Sequence, residues 1–157
     1  PVLIALNAKA VLVGPKGERT VAVHELFAGL RKTKIGKNEI IKEFMLPKYG
    51  KNTKFSFHRI GRTEHDLAMA NIAVRLTLDG KKVKDVSIGV GLAAPHPLKA
   101  VGTEKFLKEN GLKIEEACEK LLEETYPRSS IRASKEYRMK LEKVLLKRAL
   151  LECSGGA

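Results

Sequence analysis

Ile72, Val74, Leu76 and Leu78 fall at every second position, and Asp79-Gly80 separates them from a second apolar run, Val83 to Val90. A period of two is the mark of a strand, because successive side chains point to opposite faces. Asp-Gly between two such runs signals a tight hairpin, since glycine takes the required positive φ without steric cost. A hairpin this apolar needs a further strand and a covering layer before it is stable in water. Thr53 to Arg59 also alternates, with Phe55 and Phe57 on one face. The pattern predicts a three-stranded antiparallel sheet on which Phe57, Val74 and Ile88 lie together, with one face covered.

The last third of the chain supplies that cover. Residues 103 to 109 read as a short helix stopped by Asn110-Gly111, and Ile114, Cys118, Leu121 and Leu122 continue at helical spacing. A third helix starts at Ser134, a good N-cap residue, and places Tyr137, Leu141, Val144, Leu145 and Ala149 on one stripe. About three helices on one sheet give an α+β layer architecture. Ser154 to Ala157 read as a frayed tail.

The first third has its own pattern. Val2 to Val13 is mostly apolar, Gly14-Pro15-Lys16-Gly17 breaks it, and Thr20 to Val23 can return as a paired strand. His24 to Gly29 reads as one helical turn closed by glycine, and Asn38 to Pro47 as a strand that ends where proline cannot continue a ladder. The Pro, Gly, Lys and Asn loop from Pro47 to Asn52 is the best internal boundary.

With 157 residues and 43% hydrophobic content, the chain can bury a core as one domain or as a domain with an appended lobe. No apolar run approaches the roughly 20 residues that span a bilayer. Cys118 and Cys153 are the only cysteines, so no disulfide framework or cysteine metal site is implied, and a reducing cytoplasm is expected. The chain opens at Pro1 without a methionine or a signal sequence, as a processed, split or excised piece would.

The net charge of +12 raises the alternative of a nucleic-acid-binding module. Between residues 31 and 62, ten Lys or Arg stand against Glu39 and Glu43, so most of that charge is local. An aromatic content of 5% leaves no stacking stripe, and no recognition motif accompanies the charge. A local basic patch also suits an acidic partner subunit or a solvated face.

Lys54 to Ala68 concentrates polar chemistry, with His58, His65, Arg59, Arg62, Glu64 and Asp66 between an aromatic strand and an apolar one. The four histidines, at 24, 58, 65 and 96, are too dispersed for a zinc motif. Acids beside Arg62 suit an ion-pair network that fixes a loop better than an acid and base pair. Gly89-Val90-Gly91 lacks the third glycine of a nucleotide fingerprint and suits a bulge or a close backbone approach. No nucleophile motif is present, so no catalytic or metal-binding residue is assigned.

Five blocks, in order, resemble the flavoprotein (medium) subunit of the molybdenum hydroxylases, the xanthine dehydrogenase and aerobic carbon monoxide dehydrogenase family. They are Leu6 to Leu12 with Gly17 to Val21, then Arg31-Lys32-Thr33 with Asn38 to Ile41 and Leu46-Pro47. Lys54 to Ala68 follows, and then Gly91 to Ala100 and Ile131 to Arg138. The resemblance covers nearly the whole chain. It implies that residues 1–49 end an FAD-binding domain and 50–157 form the flavoprotein C-terminal domain. FAD is the implied cofactor, with Ile40 and Ile41 against its flavin and adenine end, His58 facing the flavin region, and Arg62 and Asp66 in a loop that screens the isoalloxazine ring. The implied partners are the N-terminal half of the FAD domain, a molybdenum-binding large subunit and an iron-sulfur small subunit, which passes electrons to FAD. A non-redox interaction domain is the further alternative.

Two departures matter. His58 stands where the family often has lysine, which makes that charge depend on pH. The glycine-rich loops that hold the FAD pyrophosphate in the family have no counterpart in residues 1–157, so the flavin site in this chain is expected to be incomplete.

Overall fold

The computed structural model describes residues 1–156. In chain order they form α1 (Val2–Ala5), β1 (Lys9–Gly14), β2 (Gly17–Ala22), a 3-10 turn (Val23–Leu26), β3 (Phe27–Gly29), β4 (Lys32–Thr33) and β5 (Ile40–Met45). There follow β6 (Thr53–Ile60), β7 (Ala70–Asp79), β8 (Lys82–Gly91), β9 (Leu98–Lys99), α2 (Val101–Asn110), α3 (Ile114–Glu124) and α4 (Lys135–Ser154). One sheet has the order β2-β1-β5, a second has the order β6-β7-β8-β9, and β3 and β4 form a small ribbon. The architecture is α+β, as the patterning predicts. The second sheet gains a fourth strand, since Leu98 and Lys99 pair with Val90 and Gly89. Two residues are too few to leave a periodic signal.

Ser56 opposes Val74, which opposes Ile88, whereas Phe57 opposes Ala73 and then Gly89. The predicted grouping of Phe57 with Val74 and Ile88 is therefore off by one residue, and a one-residue slip moves a side chain to the other face. Ser56 takes that place, and Phe55 and Phe57 point away from α2, α3 and α4 and stay exposed. Beneath the helices, Ile72, Val74, Leu76, Val86, Ile88 and Val90 join one buried cluster. Burying each side chain of this size contributes about 1.5–3 kcal/mol. Helix α4 lies across β6 and β7, α2 lies on β8, and α3 packs against α2 and α4. The hairpin turn is Gly80-Lys81, because Asp79 still pairs with Lys82, and Gly80 at φ 58 takes the first central position of a type II′ turn.

The opposite face of the second sheet carries small residues for a reason. A Cβ at Gly89 would come within 2.3 Å of the Pro1 carbonyl oxygen, so α1 can lie on the sheet only where a side chain is missing. That is the close approach expected of Gly89-Val90-Gly91. The expectation of one strand from Val2 to Val13 is corrected, because α1 comes first and Asn7, at φ 45, turns the chain into β1. Asparagine tolerates this left-handed conformation better than most residues. Ser87 Oγ and Arg75 Nε donate to the Ile4 and Ala5 carbonyls at 3.5 and 3.2 Å, satisfying groups that a helix end leaves without partners.

A second, smaller core gathers Ile4, Ala8, Ala10, Leu12, Val23 and Leu26. The helical turn expected over His24 to Gly29 is shorter, since Phe27 already extends into β3. In α4, Ser134 accepts from the Tyr137 amide at 3.2 Å, as a cap should. The predicted stripe is corrected at Tyr137 and Val144, which are exposed, while Leu141, Leu145 and Ala149 are buried. The end of α4 is capped, not frayed: Gly155, at φ 79, donates to Glu152 O, and Gly156 donates to Leu151 O. Ala157 lies outside the described residues.

Candidate functional site

Glu39 sets the start of β5. Its two carboxylate oxygens accept from Arg19 Nε and Nη2 at 2.6 and 2.7 Å, and the Gly36 amide donates to the second oxygen at 2.6 Å. The paired Arg19 and the Gly36 amide hold this carboxyl at about 2, well below its usual range. Arg19 lies on β2 and β1 runs between, so the pair straps the outer strands of the first sheet across its middle. The strand that follows is exposed at all six positions, and Ile40 is 69% exposed. Ile41, Phe44, Met45 and Leu46 are exposed as well. Exposed apolar residues on both sides of Lys42 and Glu43 mark a surface that something else covers.

The loop between β6 and β7 is tied by its own side chains. Arg62 Nε donates to Asp66 Oδ2 at 2.6 Å, and Asp66 Oδ1 accepts from the Leu67 amide at 3.0 Å. The Arg59 guanidinium donates to the carbonyls of Glu64 and Asp66. This is the loop-fixing network expected of Arg62 and its acids, with Asp66 as the carboxylate that holds the turn. Arg62 itself is exposed and can meet a ligand.

His58 takes a different direction. It shares the sheet face of Ser56, beneath α4, and its Nε2 lies 3.0 Å from Glu152 Oε2. Ser56 Oγ donates to the same oxygen at 2.6 Å and, with His58, holds the Glu152 carboxyl below its usual range. Serine and histidine share one acceptor here, so the cluster is not a nucleophile relay. His58 borders an open cleft of about 410 Å³ with Arg148, Leu151, Glu152, Gly155 and Gly156. The four candidate residues therefore occupy three places: Ile40 and Ile41 on the first sheet, Arg62 in the loop, and His58 on the helix side of the second sheet.

Three positions escaped sequence reasoning. Arg75, 3% exposed, contacts Asp85 and the Ala5 carbonyl and stacks its guanidinium 5.3 Å from the Tyr49 ring centre. Its signal was a single charge inside an alternating apolar strand. Arg138 is buried within α4. His96 stacks on Phe27 with ring centres 6.0 Å apart, joining β3 to the segment before β9.

The basic stretch is partly compensated within the fold, by Lys42 with Glu18 at 2.8 Å and Arg62 with Asp66. Among the described residues no helix is long and apolar enough to cross a membrane.

Residues 55–153 match the CO dehydrogenase flavoprotein C-terminal domain, and residues 1–49 match the FAD binding domain in molybdopterin dehydrogenase. The chain is 29% identical over 154 residues to the glyceraldehyde dehydrogenase medium chain of Sulfolobus acidocaldarius, covering 96% of this chain and 54% of that one. It is 32% identical over 148 residues to the carbon monoxide dehydrogenase medium chain of Afipia carboxidovorans, covering 92% and 51%. Carbon monoxide dehydrogenase from Hydrogenophaga pseudoflava, in a form lacking the Mo-pyranopterin moiety, superposes with a TM-score of 0.93 at 26% identity, over 99% of this chain and 55% of that one. The chain thus spans about half the length of the relatives it matches. The nucleic-acid and non-redox alternatives find no support among them. By these matches the chain belongs to the FAD-binding medium subunits of the molybdenum hydroxylase family.

Proposed function

We propose that this chain completes the flavin pocket of a molybdenum-hydroxylase-type oxidoreductase and docks that flavoprotein subunit on its partners. Residues 1–49 serve as the end of the FAD domain and 50–157 as the C-terminal domain. The observation that carries this reading is the exposure of Ile40 and Ile41 on the edge strand β5, where they leave an apolar side chain on each face of the strand as a wall for a ring system. Arg62, held by Asp66, stands in the loop that screens the ring. His58 enters on the strand that feeds that loop, with Glu152 as its immediate partner. Bound FAD would supply electron-transfer chemistry that no side chain provides alone.

In this reading the large molybdenum subunit and the small iron-sulfur subunit are the partners, electrons pass from the clusters to FAD, and the chain carries no catalytic residue of the molybdenum chemistry. The basic stretch from 31 to 62 assists docking, where opposite charge raises association rate more than affinity. A reducing cytoplasm suits Cys118 and Cys153, which are buried and unpaired, with burial pushing both thiols up to about 11. The test is the visible absorption of this chain co-purified with the N-terminal half of its FAD domain. Flavin absorbance is the expected result, and a stable colourless complex overturns the reading.

A further inference from the structure

Arg138 lies in the first turn of α4 but is only 4% exposed. Its Nη1 donates to the Met69 carbonyl and its Nη2 to Ser130 Oγ at 2.8 Å. Both acceptors are neutral. One turn further on, Glu142 is 1% exposed and neither of its carboxyl oxygens has a hydrogen-bond partner. A buried guanidinium is costly unless its bonds are made, so its place needs an account beyond packing.

That account lies in what Arg138 holds. Met69 closes the loop that leaves β6, and its amide donates to the Ile60 carbonyl at 2.6 Å, so both ends of the loop meet there. Ser130 belongs to the segment between α3 and α4, where its amide donates to Ala133 O at 2.9 Å. Arg138 thus ties the closing end of the loop to that segment and to α4. The outer part of the loop is held by its own hydrogen bonds among Arg59, Arg62 and Asp66, with the Arg132 charge favouring the Asp66 carboxylate as well.

We propose that Arg138 is the positioning residue of the loop from Gly61 to Met69, and that through this loop it sets where the Arg62 guanidinium stands. The consequence for the flavin rests on the function proposed above, whereas the anchoring of the loop does not. Arg138 acts from behind, through the Met69 carbonyl.

Amide hydrogen exchange on this chain tests the anchoring. In Arg138→Met, the amides of Asp66, Leu67 and Met69 are expected to exchange about 10-fold faster, while those of Val74, Leu76 and Ile88 keep their protection. Unchanged protection at Met69, or equal acceleration in the core strands, overturns the proposal. Should Arg138→Met fail to fold, Ser130→Ala removes one of the two acceptors of Arg138, along with the bond from the Arg132 amide, and is expected to speed the same three amides by about 3-fold. No change there counts against the proposal equally.

The second readout is the flavin reduction potential of the assembled FAD domain. Arg138→Met is expected to shift it in the direction of Arg62→Gln, and a potential that moves in Arg62→Gln alone overturns the link. If the unaltered assembly holds no flavin, the functional reading fails while the exchange result stands by itself.

Discussion

Arg75 Nη2 lies 2.8 Å from Asp85 Oδ2, and around this pair the N-terminal turn, the linker before β6 and helix α2 meet. Lys108 Nζ reaches the other Asp85 oxygen at 2.7 Å, and Tyr49 covers the guanidinium while its hydroxyl donates to the Leu6 carbonyl. Arg75→Met keeps most of the volume but leaves the Ala5 carbonyl and Asp85 without this donor. Asp85 is partly exposed, so the expected cost is about 2 kcal/mol, below that of a fully buried pair. Urea denaturation measures it, and an unchanged midpoint would contradict this role.

The Arg19 and Glu39 pair predicts an acid response. Glu39 is depressed from 4.5 to about 2, so its contribution to stability is fully present above pH 4.5 and is lost as pH falls through about 2. Glu39→Gln is expected to flatten that part of the stability profile. A thermal melt series over this range checks it, and an identical slope in both proteins argues against the strap.

Ile40 and Ile41 separate stability from cofactor binding. Both are exposed in this chain, so Ile40→Ser and Ile41→Ser are expected to change its folding stability by less than about 0.5 kcal/mol. Under the function proposed above, each substitution removes apolar contact with the ring in the assembled FAD domain, and flavin affinity is expected to fall about 10-fold. Equilibrium dialysis reads this, and full retention in the double variant contradicts the wall.

His58 stands on the strand that leads into the Arg62 loop, with Nε2 3.0 Å from Glu152 Oε2. Under the function proposed above, His58→Gln is expected to change the flavin reduction potential of the assembled FAD domain. A redox titration that returns the same potential for both proteins removes His58 from the site.

Much of this was legible in short segments. The hairpin from Ala70 to Gly91, the Ser134 cap, the Gly111 stop and the close approach at Gly89 all follow from local rules of period, capping and missing side chains. The loop network of Arg62 and Asp66 was legible for the same reason, because its partners are four residues apart. Less legible was the first segment, whose apolar content suits a strand equally well. Only the small-residue face of the second sheet and Asn7 make α1 the better arrangement. The side of β6 that Phe57 occupies was misread by one position, since alternation gives a period but no absolute phase.

The amino-acid sequence by itself determined the hairpin of the second sheet, the helices that cover it and the family, because these rest on patterns within a few residues or on ordered blocks. Tertiary structure alone decided that His58 meets Glu152, that Arg75 joins Asp85 to the N-terminal turn, and that Arg138 reaches Met69. Each of these contacts joins different elements of the fold, so it forms only once the sheet and the helices have packed together.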